Sequence, residues 1–141
     1  MLTLGKKRIV VEYSRPSSRG RTIMGGLVPW NRIWRTGANR ATHLYTQSDL
    51  RFGAVTVPAG TYTLYTVPNP EMWNLVINRE TGQWGLVYHY DQDLARIPVK
   101  PETLVDPVDT LTIRLDPTAE GGVLSIAWER TRIALPFAVP K

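Results

Sequence analysis

Hydrophobic and polar residues alternate along most of the chain, which is the pattern of β-strands that bury one face. Residues 8–13 show it first, because Ile9, Val11 and Tyr13 fall on one side of an extended chain. Helical periodicity is nearly absent. The pattern predicts about ten strands, at residues 8–13, 42–47, 50–57, 61–67, 73–78, 83–90, 94–100, 108–116, 123–128 and 131–139.

Short turns separate these strands and predict an antiparallel arrangement. The turns contain Pro and Gly, as at Pro58 and Gly60, and such residues supply the backbone angles at which a chain reverses. In the last three strands the apolar positions repeat every second residue, so that each strand turns one face to the core, with Leu111, Ile126, Trp128 and Ile133 among the inward residues. We therefore predict an all-β fold, an antiparallel β-sandwich of jelly-roll-like type rather than a closed barrel. The 141 residues suit a single domain over residues 1–141.

Residues 14–41 do not alternate and are predicted to form a long ordered loop. Loops of this length in compact domains are uncommon and often functional. Trp30 and Trp34 are four residues apart, so a helical turn starting at Pro29 would place both rings on one face. We expect these rings to anchor the loop to the core. This segment is the first candidate for a functional site.

Positive charge is concentrated in the same part of the chain. The net charge is +5, yet residues 1–51 carry ten Lys or Arg against two acidic residues. Seven of these are arginines between Arg15 and Arg51, and arginine suits planar contact with carboxylate or phosphate. The pattern indicates an anionic partner. The alternative is that the arginines pair with acidic residues of the C-terminal half within the fold.

An anion site is predicted around Arg35. Gly37 would allow a sharp turn with exposed backbone N–H groups, and Arg35, Thr36 and Asn39 would point donors into the same space. The alternative is that Arg35 satisfies carbonyl groups left unpaired by the loop. The loop holds three further candidate ligand-binding arginines, which could equally be solvated: Arg15, Arg19 and Arg21.

Several classes of chemistry are disfavoured by the residues present. The chain has no cysteine, which excludes thiol catalysis and disulfides, and only two histidines, His43 and His89. Neither a nucleophilic serine motif nor a His-rich metal motif occurs, so we expect no metal and no cofactor. The basic charge is confined to one loop-rich segment, which argues against nucleic-acid binding. We expect no membrane association, since no apolar run is long enough to span a bilayer.

Two functions remain open. The first is the binding of a small phosphate- or carboxylate-bearing ligand in an arginine-lined pocket. Trp30 and Trp34 would join the ligand-binding residues. If the protein is an enzyme, metal-independent hydrolysis is expected, with Arg15 and Arg35 as a clamp. The candidate acids or bases are then Glu12, Tyr13 and Tyr62. A tyrosine beside several arginines is expected to lose its proton more readily, because the cations favour the phenolate.

The second function is a non-catalytic carbohydrate-binding or protein-interaction module. Trp30, Trp73 and Trp84, together with the tyrosines, would then form an exposed platform for stacking. The position of the tryptophans distinguishes the two functions: rings that line a cavity with arginine favour a small ligand, and rings that lie flat on the surface favour the module.

Six motifs stand out in the loop and its surroundings: Tyr13-Ser14-Arg15-Pro16, Arg19-Gly20-Arg21, Gly25-Gly26-Leu27-Val28-Pro29-Trp30, Trp34-Arg35-Thr36-Gly37-Ala38-Asn39, Pro58-Ala59-Gly60-Thr61-Tyr62 and Gln83-Trp84-Gly85. They resemble those of the bacterial DUF2911 family of uncharacterised proteins, and the similarity covers nearly the whole chain. The resemblance implies no particular activity. Members are commonly exported with a signal peptide, and this sequence shows none. We therefore expect a cytoplasmic protein as the sequence stands, or a periplasmic or secreted one if a signal peptide has been removed.

Overall fold

A computed structural model describes residues 2–4, 7–38, 41–81 and 88–140 of the chain. Most of the strand predicted at residues 83–90 lies outside these residues, as do Asn39 and Trp84. Of the last residues of that predicted strand, Tyr88 and His89 are not in a strand. Tyr90 begins a short 3-10 helix, Tyr90–Gln92.

The described residues form ten strands arranged in two antiparallel sheets. The first sheet has the order β1-β2-β3-β6-β7-β8. Its strands are β1 (Leu2–Leu4), β2 (Lys7–Glu12), β3 (Thr42–Thr46), β6 (Gly60–Val67), β7 (Trp73–Asn78) and β8 (Asp93–Val99). The second sheet has the order β5-β4-β10-β9. Its strands are β4 (Leu50–Phe52), β5 (Val55–Val57), β9 (Glu102–Pro117) and β10 (Gly121–Ala138).

The two sheets pack face to face over a shared apolar core. Strands of both sheets contribute fully buried side chains to one cluster, among them Leu64 and Leu75 from the first sheet and Leu111 and Ile133 from the second. The alternating pattern of the last strands is thereby explained, because every second residue reaches this cluster. The predicted antiparallel sandwich is confirmed, and the sheets do not close into a barrel.

The single strand predicted at residues 50–57 is wrong, because the chain reverses in its middle. Gly53 has a positive φ of 60° and turns β4 into β5, so that Phe52 pairs with Val55. The Gly53-Ala54 turn lacks the Asn-Gly or Asp-Gly pair that most clearly marks a two-residue hairpin. The apolar residues on either side of the turn therefore look like one continuous strand.

β10 also reverses direction, near Glu129, whose φ is 55°. A straight strand of 18 residues would separate its ends by about 55 Å. Instead, the Val139 N–H donates to Glu120 O at 2.9 Å, and a Cβ on Gly121 would lie 2.5 Å from Phe137 O. The two arms of β10 are thus adjacent, and they correspond to the two strands predicted for this part of the chain.

The segment at residues 14–41 crosses from one sheet to the other and is attached to both. At its start, the Leu111 N–H of β9 donates to Pro16 O at 2.9 Å, and the Ser18 N–H donates to Asp109 O at 2.8 Å. Near its end, Trp34 and Thr66 of β6 exchange two backbone hydrogen bonds of 2.8 and 2.9 Å. Its middle contributes two buried side chains, Ile23 and Val28, to the core.

We predict that Gly121→Ala lowers the free energy of unfolding by about 2 kcal/mol, because the added methyl group would meet the backbone of the second arm of β10. Urea unfolding measures the change. The matched control is Gly53→Ala, which places a methyl group in open space at a positive φ and should cost about 1 kcal/mol. An equal or smaller loss for Gly121→Ala would contradict the adjacency of the two arms.

Candidate functional site

A cavity of about 320 Å³ lies where the 14–41 segment bridges the two sheets. Four aromatic side chains form much of its wall: Trp34, Tyr65, Tyr88 and Trp128. The other described lining residues are mostly small or aliphatic: Pro16, Leu27, Val28, Pro29, Ile33, Gly37 and Ala38, together with Arg35. The described wall is therefore largely apolar, with a single cationic side chain.

The Trp34 and Trp128 rings are stacked on each other, with centroids 5.9 Å apart and planes inclined by 15°. Trp128 belongs to β10, and its Nε1–H donates to Asp109 O of β9 at 2.8 Å. Trp34 is held by its backbone pairing with Thr66 in the other sheet. The stack therefore connects the sheets through the 14–41 segment, and both rings line the cavity.

The predicted helical turn that would place Trp30 and Trp34 on one face is wrong. Asn31 has a φ of 62°, in the left-handed region, so the chain leaves the helical path directly after Trp30. The Trp30 ring lies over Gly25, where a Cβ would collide with it. Trp34 alone of the two packs against the core and lines the cavity.

Arg35 is the one charged residue among the described residues that line the cavity. It is half-buried, and its Nε–H donates to Gly37 O at 3.3 Å. Within the part of the chain that the structure describes, its two Nη nitrogens have no hydrogen-bond partner. Arg35 thus partly satisfies a loop carbonyl, as the alternative expected.

The other candidate arginines do not line this cavity. Arg15 is exposed, and its Nε–H donates to Leu111 O at 3.4 Å. Arg21 donates to two carbonyls of its own loop, from Nε to Ser18 O at 3.0 Å and from Nη2 to Ser17 O at 2.8 Å. Arg19 is exposed. The described lining of this cavity thus contains one arginine, and Arg15 and Arg21 bond instead to carbonyls that the irregular loop leaves unpaired or that lie beside it.

Thr36 is fully buried and supports the loop. Its hydroxyl lies 3.2 Å from Trp34 O and 3.2 Å from Thr66 Oγ1, and its carbonyl accepts from Thr42 Oγ1 at 2.8 Å. The left-handed conformation expected of Gly37 falls on Thr36 instead, with a φ of 61°, a strained value for a β-branched residue. Thr36 therefore does not offer its hydroxyl to the cavity, and Asn39, its predicted companion, lies outside the described residues.

The three candidate acids and bases are also placed away from the described lining of the cavity. Glu12 is exposed at the end of β2. The Tyr13 hydroxyl accepts from the Ile113 N–H at 2.9 Å. The Tyr62 hydroxyl donates to Pro58 O at 2.6 Å.

The ionisation expected of Tyr62 is opposed by its surroundings. Burial raises the pKa of Tyr62, Arg79 lowers it to a smaller extent, and Asp49 raises it further. The prediction that nearby arginines would favour its phenolate is therefore wrong, because desolvation outweighs the positive charge.

Tyr88 is a lining residue that the sequence did not single out. Its hydroxyl donates to Asp93 Oδ2 at 2.5 Å and accepts from Arg96 Nη2 at 2.7 Å, while Arg96 Nε also donates to Asp93 Oδ2 at 3.2 Å. Burial, followed by the hydrogen bond to Asp93, raises the pKa of Tyr88 to about 12. The Tyr88 ring meets Tyr65 edge to face, at 4.8 Å and 65°.

The polar network fixes Tyr88 as a neutral phenol at the cavity wall. Tyr65, Tyr88 and Trp128 come from distant parts of the chain, and their convergence depends on strand pairing. Of the three, Trp128 is the one that the sequence indicated, because its strand pattern predicted that it faces the core.

The remaining candidates lie elsewhere. His43 is mostly buried with its ring 6.3 Å from that of Tyr45, and His89 Nδ1 lies 2.7 Å from Glu80 Oε2. Across the described ranges, no three His, Asp or Glu side chains form a group that could hold a metal ion. Trp73 is 1% exposed, within the core cluster.

The chain matches a known family over nearly its whole length, including the motifs of this loop. The family described as a protein of unknown function (DUF2911) matches residues 1–137. The chain belongs to the DUF2911 family. The resemblance drawn from the loop motifs is confirmed, and the family description carries no activity. No curated protein and no solved structure matches the chain. In the described residues, no helix is long and apolar enough to cross a membrane.

We predict that Tyr88→Phe reduces the loss of stability at alkaline pH. The pKa of the Tyr88 phenol is about 10 in the unfolded chain and about 12 in the folded protein. As the pH rises over this interval, the unfolded state therefore loses the Tyr88 proton first. The free energy of unfolding therefore falls as pH rises from about 10 to 12. Urea unfolding midpoints over this range should fall less steeply for Tyr88→Phe. Parallel curves for both proteins would contradict the raised pKa.

Proposed function

We propose that this protein binds a small anionic ligand in the cavity where the 14–41 segment joins the two sheets. The observation that supports it is the half-buried Arg35 at the wall of a 320 Å³ cavity that the Trp34 and Trp128 rings also line. Ligand sites are commonly clefts of about this size, with mostly apolar walls and few polar groups. Arg35 would hold the anionic group and the aromatic walls would cover the remainder of the ligand.

The electrostatics of the cavity favour an anion over a neutral or cationic ligand. A guanidinium beside apolar walls is less well solvated than one in water, so an anion that pairs with it gains more than at an exposed site. The Nη edge of Arg35 is oriented by the bond from Nε to Gly37 O. A fixed guanidinium loses less conformational freedom when it binds a ligand.

The proposal covers binding and does not extend to hydrolysis. The described lining of the cavity contains no serine, histidine, aspartate or glutamate that could act as nucleophile or base. Tyr88 is kept neutral by its raised pKa of about 12 and its hydroxyl is engaged with Asp93. Metal-independent hydrolysis therefore stays a prediction from the sequence, without support from the described walls of this cavity.

The alternative, a carbohydrate-binding or protein-interaction module, has less support. Its exposed platform was to include Trp30 and Trp73, but Trp73 is buried in the core and Trp30 is half-buried over Gly25. Among the described residues, the tryptophans that line the cavity are Trp34 and Trp128, and this position favours a small ligand.

We predict that Arg35→Gln weakens the binding of small anions by about 1.5–3 kcal/mol, the contribution of hydrogen bonds to a charged group. Benzoate and phenyl phosphate serve as probes, since they share a ring and differ in the anionic group. Isothermal titration calorimetry, or ligand-observed NMR for weak binding, measures the dissociation constants.

The matched control is Arg51→Gln, which removes one charge from an exposed position on β4 outside the described cavity lining. It should leave binding within about twofold of the original protein, since a distant surface charge is screened by salt. Both variants should keep the original melting temperature within a few degrees. Failure of both probes to bind, or an equal loss in the two variants, would overturn the proposal.

A further inference from the structure

We infer that the ligand of this cavity is a planar aromatic monocarboxylate. The inference rests on the proposed function and narrows it in three respects: the charge of the ligand, the geometry of its anionic group and the shape of its body. Each follows from a different property of the described wall.

The charge of the wall favours a monoanion. Arg35 supplies one positive charge, and no other described lining residue is charged. A carboxylate neutralises it, whereas a phosphate monoester with close to two negative charges would leave an unpaired negative charge between apolar walls. Burying an uncompensated charge is strongly unfavourable.

The geometry of Arg35 favours a carboxylate. Its Nε–H is already directed to Gly37 O, which leaves the edge formed by the two Nη nitrogens. Two parallel N–H groups on one edge match the two oxygens of a carboxylate in a planar, bidentate contact. A third phosphate oxygen would have no donor on this edge.

The shape of the cavity favours a flat ring. Four aromatic side chains line it: Trp34, Tyr65, Tyr88 and Trp128. Trp34 and Tyr88 are half-buried, whereas Tyr65 and Trp128 are almost fully buried behind them. Because aromatic rings prefer offset-stacked or edge-to-face partners, Trp34 and Tyr88 are the rings that a ligand ring would contact. A cavity of roughly 150 Å³ accommodates benzene in another protein. A cavity of about 320 Å³ therefore has room for one or two fused rings with a carboxylate arm.

Two features keep this wall in place. The Tyr88 ring is oriented by the hydrogen bonds of its hydroxyl with Asp93 and Arg96, and the Trp128 ring by its bond to Asp109 O. A ligand ring thus meets a preformed aromatic surface rather than one that it must assemble, which lowers the entropic penalty of binding.

The experiment compares five probes on the full chain by calorimetry or ligand-observed NMR. Benzoate and indole-3-acetate are planar aromatic carboxylates. Cyclohexanecarboxylate matches benzoate in charge and approximate size but is not planar, phenyl phosphate changes the anionic group, and benzyl alcohol removes the charge. We expect the better of the two aromatic carboxylates to bind about tenfold more tightly than each of the other three.

The outcomes separate this inference from the function on which it rests. Equal or tighter binding of cyclohexanecarboxylate or phenyl phosphate, lost in Arg35→Gln, would overturn the ligand class and leave the anion site standing. If none of the anions binds, or if binding persists undiminished in Arg35→Gln, both proposals fail.

A pair of variants at Tyr88 tests the aromatic wall directly. Tyr88→Leu removes the ring and should weaken benzoate binding several-fold while it leaves cyclohexanecarboxylate little changed. Tyr88→Phe keeps the ring and should restore the preference for benzoate. Melting temperatures identify a variant that fails to fold. A preference for benzoate that survives in a folded Tyr88→Leu protein, or a loss that Phe does not restore, would overturn the role of the ring.

Discussion

The stack of Trp34 on Trp128 is the contact on which the cavity depends. Trp34 is fixed by backbone pairing to Thr66 in one sheet, and Trp128 belongs to β10 in the other. The 14–41 segment thus pairs with the first sheet through the backbone of Trp34 and packs on the second through its ring. The cavity is the space that remains beside the stack, and Arg35 borders it because it follows Trp34 in the chain.

The same attachment explains why the other arginines of the segment lie elsewhere. An irregular segment that must reach both sheets has carbonyl groups that no strand partner satisfies, and long cationic side chains can bond to them. Arg21 turns back to Ser17 and Ser18, and Arg15 reaches Leu111. Part of the positive charge of the segment therefore serves the internal bonding of the loop, and Arg35 is the one charged residue among the described residues that line the cavity.

The sequence predicted the sandwich well because burial on alternate residues is a local signal. Leu111, Ile126 and Ile133 are buried as their spacing indicates. It failed where a turn carried no distinctive residues, as at Gly53. Within the site, it pointed to Arg35 and Trp34, which are close in the chain. The sequence could not indicate Tyr65 and Tyr88 as lining residues, since only the packing of distant parts of the chain brings them to one wall.

The first residues of the 14–41 segment cover part of an edge strand. β9 lies at the margin of its sheet, and a bare margin presents backbone amides and carbonyls to which a strand of another chain can add. Pro16 and Ser18 occupy several of these groups, those of Asp109 and Leu111. The piece of chain that borders the cavity thus also covers part of the edge of β9, so changes that loosen it would expose this edge to pairing with a strand of another chain.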